Sequence, residues 1–242
     1  MNLQNYDLTR FQSGLTEFGL MLSEFQLKQF IEYYELLVEW NSFMNLTAIT
    51  EFEDVCTKHF LDSLSLCKAL DCTKEHSVMD IGTGAGFPGI PLKIVFPHLK
   101  ITLLDSLGKR VKFLNEVIGK LGLEQIDAIH GRAEDFAKPD LLRERFDICV
   151  SRAVANLSSL SEYCIPYVRE GGFFISYKSE KIVEEIAAAE KAVSVLGGAF
   201  IKQVAFVLPN SDIDRSLVVI GKVKHTPKKY PRKAGLPTKE PI

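Results

Sequence analysis

The chain has 242 residues, 46% of them hydrophobic and 25% charged, with a formal net charge of −2. No apolar run approaches the roughly 20 residues needed to span a bilayer, and the first residues lack the basic-then-apolar layout of a signal peptide. Cys56, Cys67, Cys72, Cys149 and Cys164 are odd in number and form no C-x-x-C pair, which fits reduced thiols in a cytoplasmic protein better than a disulfide framework or a zinc site.

In chain order, residues 1–71 read as a helical extension. Leu27, Phe30, Ile31, Tyr34, Leu37 and Val38 recur at helical spacing, and Ser23 with Gln26 makes a capping box. Residues 41–48 read as a polar break, and a second capping signature, Thr50 with Glu53, opens the segment through His59 and Asp62. From Val78 the period changes to short strands alternating with helices, the sign of a parallel sheet. The spacing predicts strands over 78–81, 101–105, 126–129, 146–150 and 173–177, with helices over 90–96, 109–121 and 158–168. A further helix follows Ser179 and stops at Gly197-Gly198. Two last strands, 200–207 and 216–220, are joined by a turn too short for a crossover, so they should be antiparallel. The fold class expected is therefore α/β: residues 72–242 form a seven-stranded, mostly parallel sheet with an antiparallel last hairpin, preceded by the helical extension 1–71.

The residues that carry chemistry lie at the carboxyl ends of these strands. Asp80-Ile81-Gly82-Thr83-Gly84-Ala85-Gly86-Phe87 is a strand breaking into a glycine turn, where backbone can approach a ligand because glycine has no Cβ. A dinucleotide fold wants G-x-G-x-x-G. Here that third position is Phe87, and the glycines fall at Gly82, Gly84 and Gly86. The D-x-G-x-G-x-G spacing resembles the first motif of class I S-adenosylmethionine methyltransferases, with a Rossmann-like core. Asp105 at the end of the second strand suits the two hydroxyls of a ribose, or caps the helix that follows. Gly131-Arg132-Ala133-Glu134-Asp135 should lie beside an adenine, or open a helical turn through its dipole.

Ser151-Arg152-Ala153-Val154 follows the fourth strand, where methyltransferases keep their acceptor-facing motif. The Asp/Asn-Pro-Pro-aromatic run of base-amine enzymes is absent, as is the thiolate motif of pyrimidine-C5 enzymes; Cys149 and Cys164 read as core. An acceptor with a free lone pair and no proton to lose, such as guanine N7, fits these absences. Its methylation is an in-line displacement that needs alignment and a dry pocket but no general base. Arg132 and Arg152 are candidates to hold a phosphate, a guanine edge or the cofactor carboxylate. The last residues, 221–242, carry Lys222, Lys224, Lys228, Lys229, Arg232, Lys233 and Lys239 against Glu240. That is either a phosphate contact or a solvated tail.

Assembled, these residues resemble the RsmG family, also called GidB or glucose-inhibited division protein B. The resemblance runs through Asn45-Leu46-Thr47-Ala48-Ile49, His59-Phe60-Leu61-Asp62-Ser63-Leu64, the glycine motif extended by Pro88-Gly89-Ile90-Pro91, Leu104-Asp105-Ser106 with Lys109-Arg110, Gly131-Arg132-Ala133-Glu134, Ser151-Arg152-Ala153-Val154-Ala155 and the tail Thr226-Pro227-Lys228-Lys229-Tyr230-Pro231-Arg232-Lys233-Ala234-Gly235. It implies methyl transfer from S-adenosylmethionine to N7 of a guanine in the 530 loop of 16S rRNA. The small ribosomal subunit or its precursor is then the partner, with no DNA, no membrane, no metal and a monomeric state expected. It also implies cofactor contacts at Gly82, Phe87, Asp105, Ala133, Glu134 and Arg152, and matches Asn45, Arg132, Arg152 and Lys178 to positions associated with the acceptor and activity. His59 and Asp62, one helical turn apart, either face the glycine loop or form a structural hydrogen-bonded pair. Two other readings stay open: a cofactor-sensing, RNA-holding module without turnover, and a small-molecule methyltransferase.

Overall fold

The computed structural model describes residues 6–152, 155–179 and 182–242. Helices α1 (Thr9–Glu17), α2 (Glu24–Met44) and α3 (Phe52–Val55) lead into a π-helical turn (Cys56–Leu61), the short α4 (Asp62–Leu64) and a 3-10 turn (Ser65–Lys68). Strands β1 (Ser77–Ile81), β2 (Lys100–Asp105), β3 (Ile126–His130), β4 (Phe146–Arg152), β5 (Val168–Lys178), β6 (Gly198–Val207) and β7 (Asp214–Lys222) alternate with α5 (Gly89–Val95), α6 (Gly108–Lys120), α7 (Ala133–Phe136), α8 (Leu157–Cys164) and α9 (Val183–Val195). A last turn of helix, α10 (Leu236–Lys239), closes the chain.

The strands form one sheet in the order β3-β2-β1-β4-β5-β7-β6. β1 to β5 run parallel, and β7 lies antiparallel between β5 and β6, as the spacing predicts. The order reverses between β1 and β4, and in such sheets ligands bind at that switch point, outside the carboxyl ends of the strands. Side chains alternate across the sheet. Val78, Leu103, Val150 and Ile175 face a core shared with α2, α5 and α6, whereas Met79, Leu104, Cys149 and Phe174 face a core shared with α8 and α9. Both faces are covered, so the parallel strands read as apolar runs. No described helix is long and apolar enough to cross a membrane.

The N-terminal helices join the first of these cores: Phe11, Phe30, Tyr33, Leu37, Phe60 and Leu61 pack in one cluster with the sheet residues. α2 starts at the expected capping box, Ser23 with Gln26. Its far end differs from expectation. The helix runs on through residues 41–44, because Trp40 packs on Phe113 of α6 at 5.6 Å between ring centroids, and tertiary contact outweighs the polar composition. Asn45 ends it in a left-handed conformation, φ 51 and ψ 55, which asparagine tolerates better than most residues. The capping signature at Thr50 does not form: Glu51 precedes α3 without a side-chain cap bond, and the Thr50 carbonyl instead accepts from Tyr34 Oη at 2.9 Å. The helix expected over 158–168 ends early, at Cys164, since Pro166 cannot continue the ladder. Ile165–Tyr167 is a 3-10 turn and Val168 opens β5. The five cysteines are free thiols, Cys67 half-buried and the rest buried, as their reading as core residues requires.

Tyr33 of α2 ties this helical layer to the switch point. It is fully buried, stacks on Phe60 at 5.5 Å, meets Phe87 at 5.5 Å and donates its hydroxyl to the Ala85 carbonyl inside the glycine turn. Tyr33→Phe keeps the ring and strands that carbonyl without a donor. A loss of about 1–2 kcal/mol is expected, read as a lower urea midpoint at unchanged slope.

Candidate functional site

The glycine turn is held from below by Asp80, the fourth residue of β1. Its side chain is fully buried, and Oδ2 accepts from Thr83 Oγ1 at 2.7 Å and from the Gly89 amide at 2.9 Å. Oδ1 has no hydrogen-bond partner among the described residues. Burial pushes the Asp80 carboxyl up to about 7, and the Thr83 and Gly89 hydrogen bonds pull in the opposite direction. The amides of Gly82 and Thr83 donate to the Leu104 carbonyl of β2, at 2.8 and 3.2 Å. Gly82, Gly84 and Gly86 have φ of 68, 63 and 99, left-handed values that favour glycine. A Cβ on Gly84 would meet nothing within 4 Å, so this backbone is bare on its outer side.

Gly89 has a different task. A Cβ there would lie 2.2 Å from Leu103 Cδ2, so glycine lets the start of α5 press against β2. Counted from Gly84, the run Gly84-Ala85-Gly86-Phe87-Pro88-Gly89 therefore does satisfy G-x-G-x-x-G, with the helix-packing glycine at its end. The spacing counted from Gly82 concealed this, and glycine spacing by itself does not separate the two cofactor classes here.

On the β2–β3 side of the turn lies a cavity of about 240 Å³, lined among others by Gly82, Ser106, Arg132, Ala133, Glu134 and Tyr163. Asp105 ends β2 beside it, only 3% exposed. Its Oδ2 accepts from the Gly84 amide at 2.9 Å and its Oδ1 from the Leu107 amide at 2.8 Å. It thus clamps the turn to the start of α6; Oδ2 also takes Arg110 Nη1 at 3.5 Å, and Oδ1 keeps a lone pair for a further donor. Ser106 does not cap α6, which starts without a side-chain cap bond. Glu134 Oε1 accepts from the Gly235 amide at 2.8 Å, and the Ala133 carbonyl accepts from Tyr167 Oη at 2.6 Å. Arg132 is exposed, and its guanidinium makes no hydrogen bond or ion pair among the described residues.

On the β4–β5 side the cations are already paired. Arg152 Nη1 lies 2.8 Å from Asp62 Oδ2 and 3.1 Å from the Lys58 carbonyl, and its guanidinium sits 5.0 Å over the Phe87 ring. Asp62 Oδ1 takes a second arginine, Arg215, at 3.0 Å. His59 stacks on Phe87 at 4.5 Å. Arg152 Nη2 lies 3.3 Å from His59 Nδ1. The same Nδ1 lies 3.2 Å from the Lys58 carbonyl, and Nε2 lies 2.8 Å from Thr47 Oγ1. Burial first, then the charge of Arg152, lowers the His59 pKa to about 3, so the ring is neutral. His59 and Asp62 thus do not pair with each other; each bonds Arg152 instead, because the π-helical turn and the start of α4 that follows it carry the two side chains under that arginine. Asn45 stands exposed two residues before Thr47, and that loop is fastened to His59. Lys178 donates to the Ala155 carbonyl at 2.8 Å and pairs with Glu185 at 2.5 Å, anchoring the loop after β4. Ala153 and Val154 of that loop lie outside the described residues.

The structure therefore gathers Asp80, Gly82, Gly84, Gly86 and Phe87 at one turn, with Asp105 bonded to it from β2, Arg132, Ala133 and Glu134 on one side and Arg152, Lys178 and the Asn45 loop on the other. Sequence reasoning gave no site role to Tyr33, nor to Tyr163, Gly235 and Thr238 on the cavity wall. Tyr33 is an ordinary core position by pattern, Tyr163 lies outside the motifs, and Gly235 and Thr238 lie in or just after a tail motif read only for its basic charge. A bare glycine backbone, a buried carboxylate with an unfilled oxygen, and a partly apolar cavity at the end of β2 and β3 fit a sulfonium nucleoside such as S-adenosylmethionine.

Residues 26–217 match the family model GidB, described as rRNA small subunit methyltransferase G. The ribosomal RNA small subunit methyltransferase G of Lachnoclostridium phytofermentans is 56% identical over 236 residues, covering 98% of each chain. That of Lactococcus lactis subsp. lactis is 52% identical over 233 residues, covering 96% of this chain and 98% of its own. Among solved structures, M. jannaschii TYW2 in complex with AdoMet superposes with a TM-score of 0.53 at 15% identity, over 67% of this chain and 77% of that one. TrmN from Thermus thermophilus gives 0.52 at 15% identity, over 69% and 53%. At that identity the likeness is one of fold.

Two outcomes follow from the charges. Arg152→Ala removes one of two arginines from the buried Asp62, so it should cost about 2–3 kcal/mol in urea unfolding, below the usual range for a broken buried pair because Arg215 remains. For Asp80, the folded pKa lies above its ordinary 3.8, so its contribution to stability is full below about pH 4 and is lost as pH rises through about 7. Asp80→Asn removes that dependence. Its urea midpoint should gain on the wild type between about pH 4 and 7 and keep a constant offset above; an offset independent of pH would contradict the buried, neutral carboxyl.

Proposed function

This chain belongs to the GidB family, rRNA small subunit methyltransferase G, and from that premise we propose how its site handles cofactor and acceptor. It is a methyltransferase that uses S-adenosylmethionine and acts on N7 of a guanine in 16S rRNA. Bound there, S-adenosylmethionine supplies an electrophilic sulfonium methyl.

The chain's own residues divide the remaining work. The backbone of Gly82, Gly84, Gly86 and Phe87 receives the methionyl part, with Asp80 bracing that backbone from below through Thr83 and Gly89. The spare lone pair on Asp105 Oδ1 accepts from a ribose hydroxyl, and the Ala133–Glu134 backbone borders the adenine. Arg132, exposed and unpaired on the cavity rim, takes the RNA, either a phosphate or a guanine edge. Arg152 holds Phe87 and His59 in place and closes the floor between cofactor and acceptor. Lys178 fixes the loop after β4, and Asn45 reaches the acceptor from the end of α2. Lys228, Lys229, Lys233 and Lys239 are exposed and offer a surface to the phosphate backbone. The 530 loop is the acceptor segment, with the enzyme working as a cytoplasmic monomer on the small subunit or its precursor.

One observation carries this reading. The titratable groups around the turn, Asp80, Asp105, His59 and Asp62, are all hydrogen-bonded within the protein. Each is committed to hold the protein's own donors, and N7 of guanine needs no general base because it loses no proton. The measured quantity is tritium passed from S-adenosylmethionine to small subunits, with the labelled nucleotide mapped. Asn45→Gly keeps the left-handed φ and deletes the amide, so the fold should hold while turnover falls about a hundredfold. Gly84→Val places a side chain on the bare outer side of the turn and should abolish cofactor binding, at a folding cost of about 1–2 kcal/mol for its positive φ. Label in a small molecule but not in the RNA would overturn the acceptor.

A further inference from the structure

The last seventeen residues are built into the molecule, and where they are built in matters. At the end of β7, Lys222 is buried against Glu144 at 3.0 Å. Arg143 donates to the carbonyls of Tyr230 at 2.7 Å and Thr226 at 2.5 Å. The chain then reaches α8. Arg232 grips Glu162 with Nε–Oε1 at 3.0 Å and Nη2–Oε2 at 2.6 Å, and its own amide donates to Oε1 at 2.7 Å. Glu162 is fully buried in the folded chain, and a buried carboxylate left unpaired is strongly destabilising. Its position on α8 therefore makes sense only with Arg232 in place.

Beyond this latch the chain crosses the cavity rim. The Gly235 amide bonds Glu134, Ser159 Oγ donates to the Pro237 carbonyl at 2.8 Å, and Tyr163 Oη meets Thr238 Oγ1 at 2.6 Å. Glu134 and Tyr163 line the cavity, and so do Gly235 and Thr238 themselves. A φ of 80 at Gly235 makes the bend that lays the strap down.

We infer that residues 232–239 are a cofactor-binding strap, one wall of the nucleoside end of the S-adenosylmethionine pocket, latched by the Arg232–Glu162 pair. The inference rests on the assignment of that cavity to the cofactor. It gives the basic tail a task distinct from RNA contact. The inward atoms of the strap, the Gly235 amide and Thr238 hydroxyl, hold the pocket's own side chains, while its lysines point to solvent.

The test uses the full-length chain. Calorimetry measures the affinity for S-adenosylmethionine, and hydrogen exchange with and without it follows the amides of 232–239. The double substitution Arg232→Gln with Glu162→Gln keeps hydrogen-bonding volume at the latch without a buried charge. It should weaken cofactor affinity about tenfold and leave kcat at saturating cofactor within about threefold. In the wild type, cofactor should slow exchange across the strap. Should the double variant fail to fold, the wild-type exchange decides. Unslowed exchange, or unchanged affinity in a folded variant, overturns the strap. A wild type that binds no S-adenosylmethionine overturns the pocket assignment itself, a different result from a strap that binding leaves unaffected.

Discussion

Three buried side chains converge on the backbone of one glycine turn, and the rest of the structure depends on that convergence. Asp80 holds it from within the sheet through Thr83 and Gly89. Asp105 takes the Gly84 amide from the neighbouring strand, and Tyr33 reaches the Ala85 carbonyl from the N-terminal helices. Glycine backbone with positive φ is conformationally costly to fix. Here each of the three contacts fixes a different residue of the turn, so its outer side can stay bare for a ligand.

The same convergence explains why the N-terminal helices belong to the site. Their aromatic residues fill the core beneath the turn, and the π-helical segment Cys56–Leu61 presents His59 to Phe87 and Arg152. π-helical turns are rare and recur at functional sites. Asp62 then pairs with two arginines, Arg152 and Arg215, which joins β4, β7 and the helical layer in one charge cluster. The loop carrying Asn45 is fastened to that cluster through Thr47. A change at any of these residues therefore reaches the switch point through packed, hydrogen-bonded atoms.

The site is asymmetric in its charges. Arg152 and Lys178, on the β4–β5 side, are consumed by internal partners, whereas Arg132, on the cavity rim, is open. A buried, paired arginine is held as a rigid plate against an aromatic ring. An exposed one keeps its donors for phosphate or base. Two residues with the same charge and similar motif context thus have different work, and their surroundings divide it.

Much of this molecule was legible from the amino-acid order. Alternation of short apolar runs with helical periods located all seven strands, and the short turn at Pro209–Asp212 implied the antiparallel hairpin, because strand and helix periods are local properties of a chain. The glycine turn, Asp105 and the Arg132–Glu134 loop were legible for a related reason: each follows a strand directly, so strand order alone brings them to one edge. Contacts between distant segments were not. That α2 runs through residues 41–44 depends on Trp40 meeting Phe113. That Asp62 serves Arg152 and Arg215 depends on three segments meeting. Whether Arg132 or Arg152 is free could be decided only by which carboxylate lies nearby. Basic composition at the end of the chain could not show that Arg232 pairs with the buried Glu162 while its neighbouring lysines face water. Local periods are written in consecutive residues, whereas pairing and burial are set by which surfaces the folded backbone brings together.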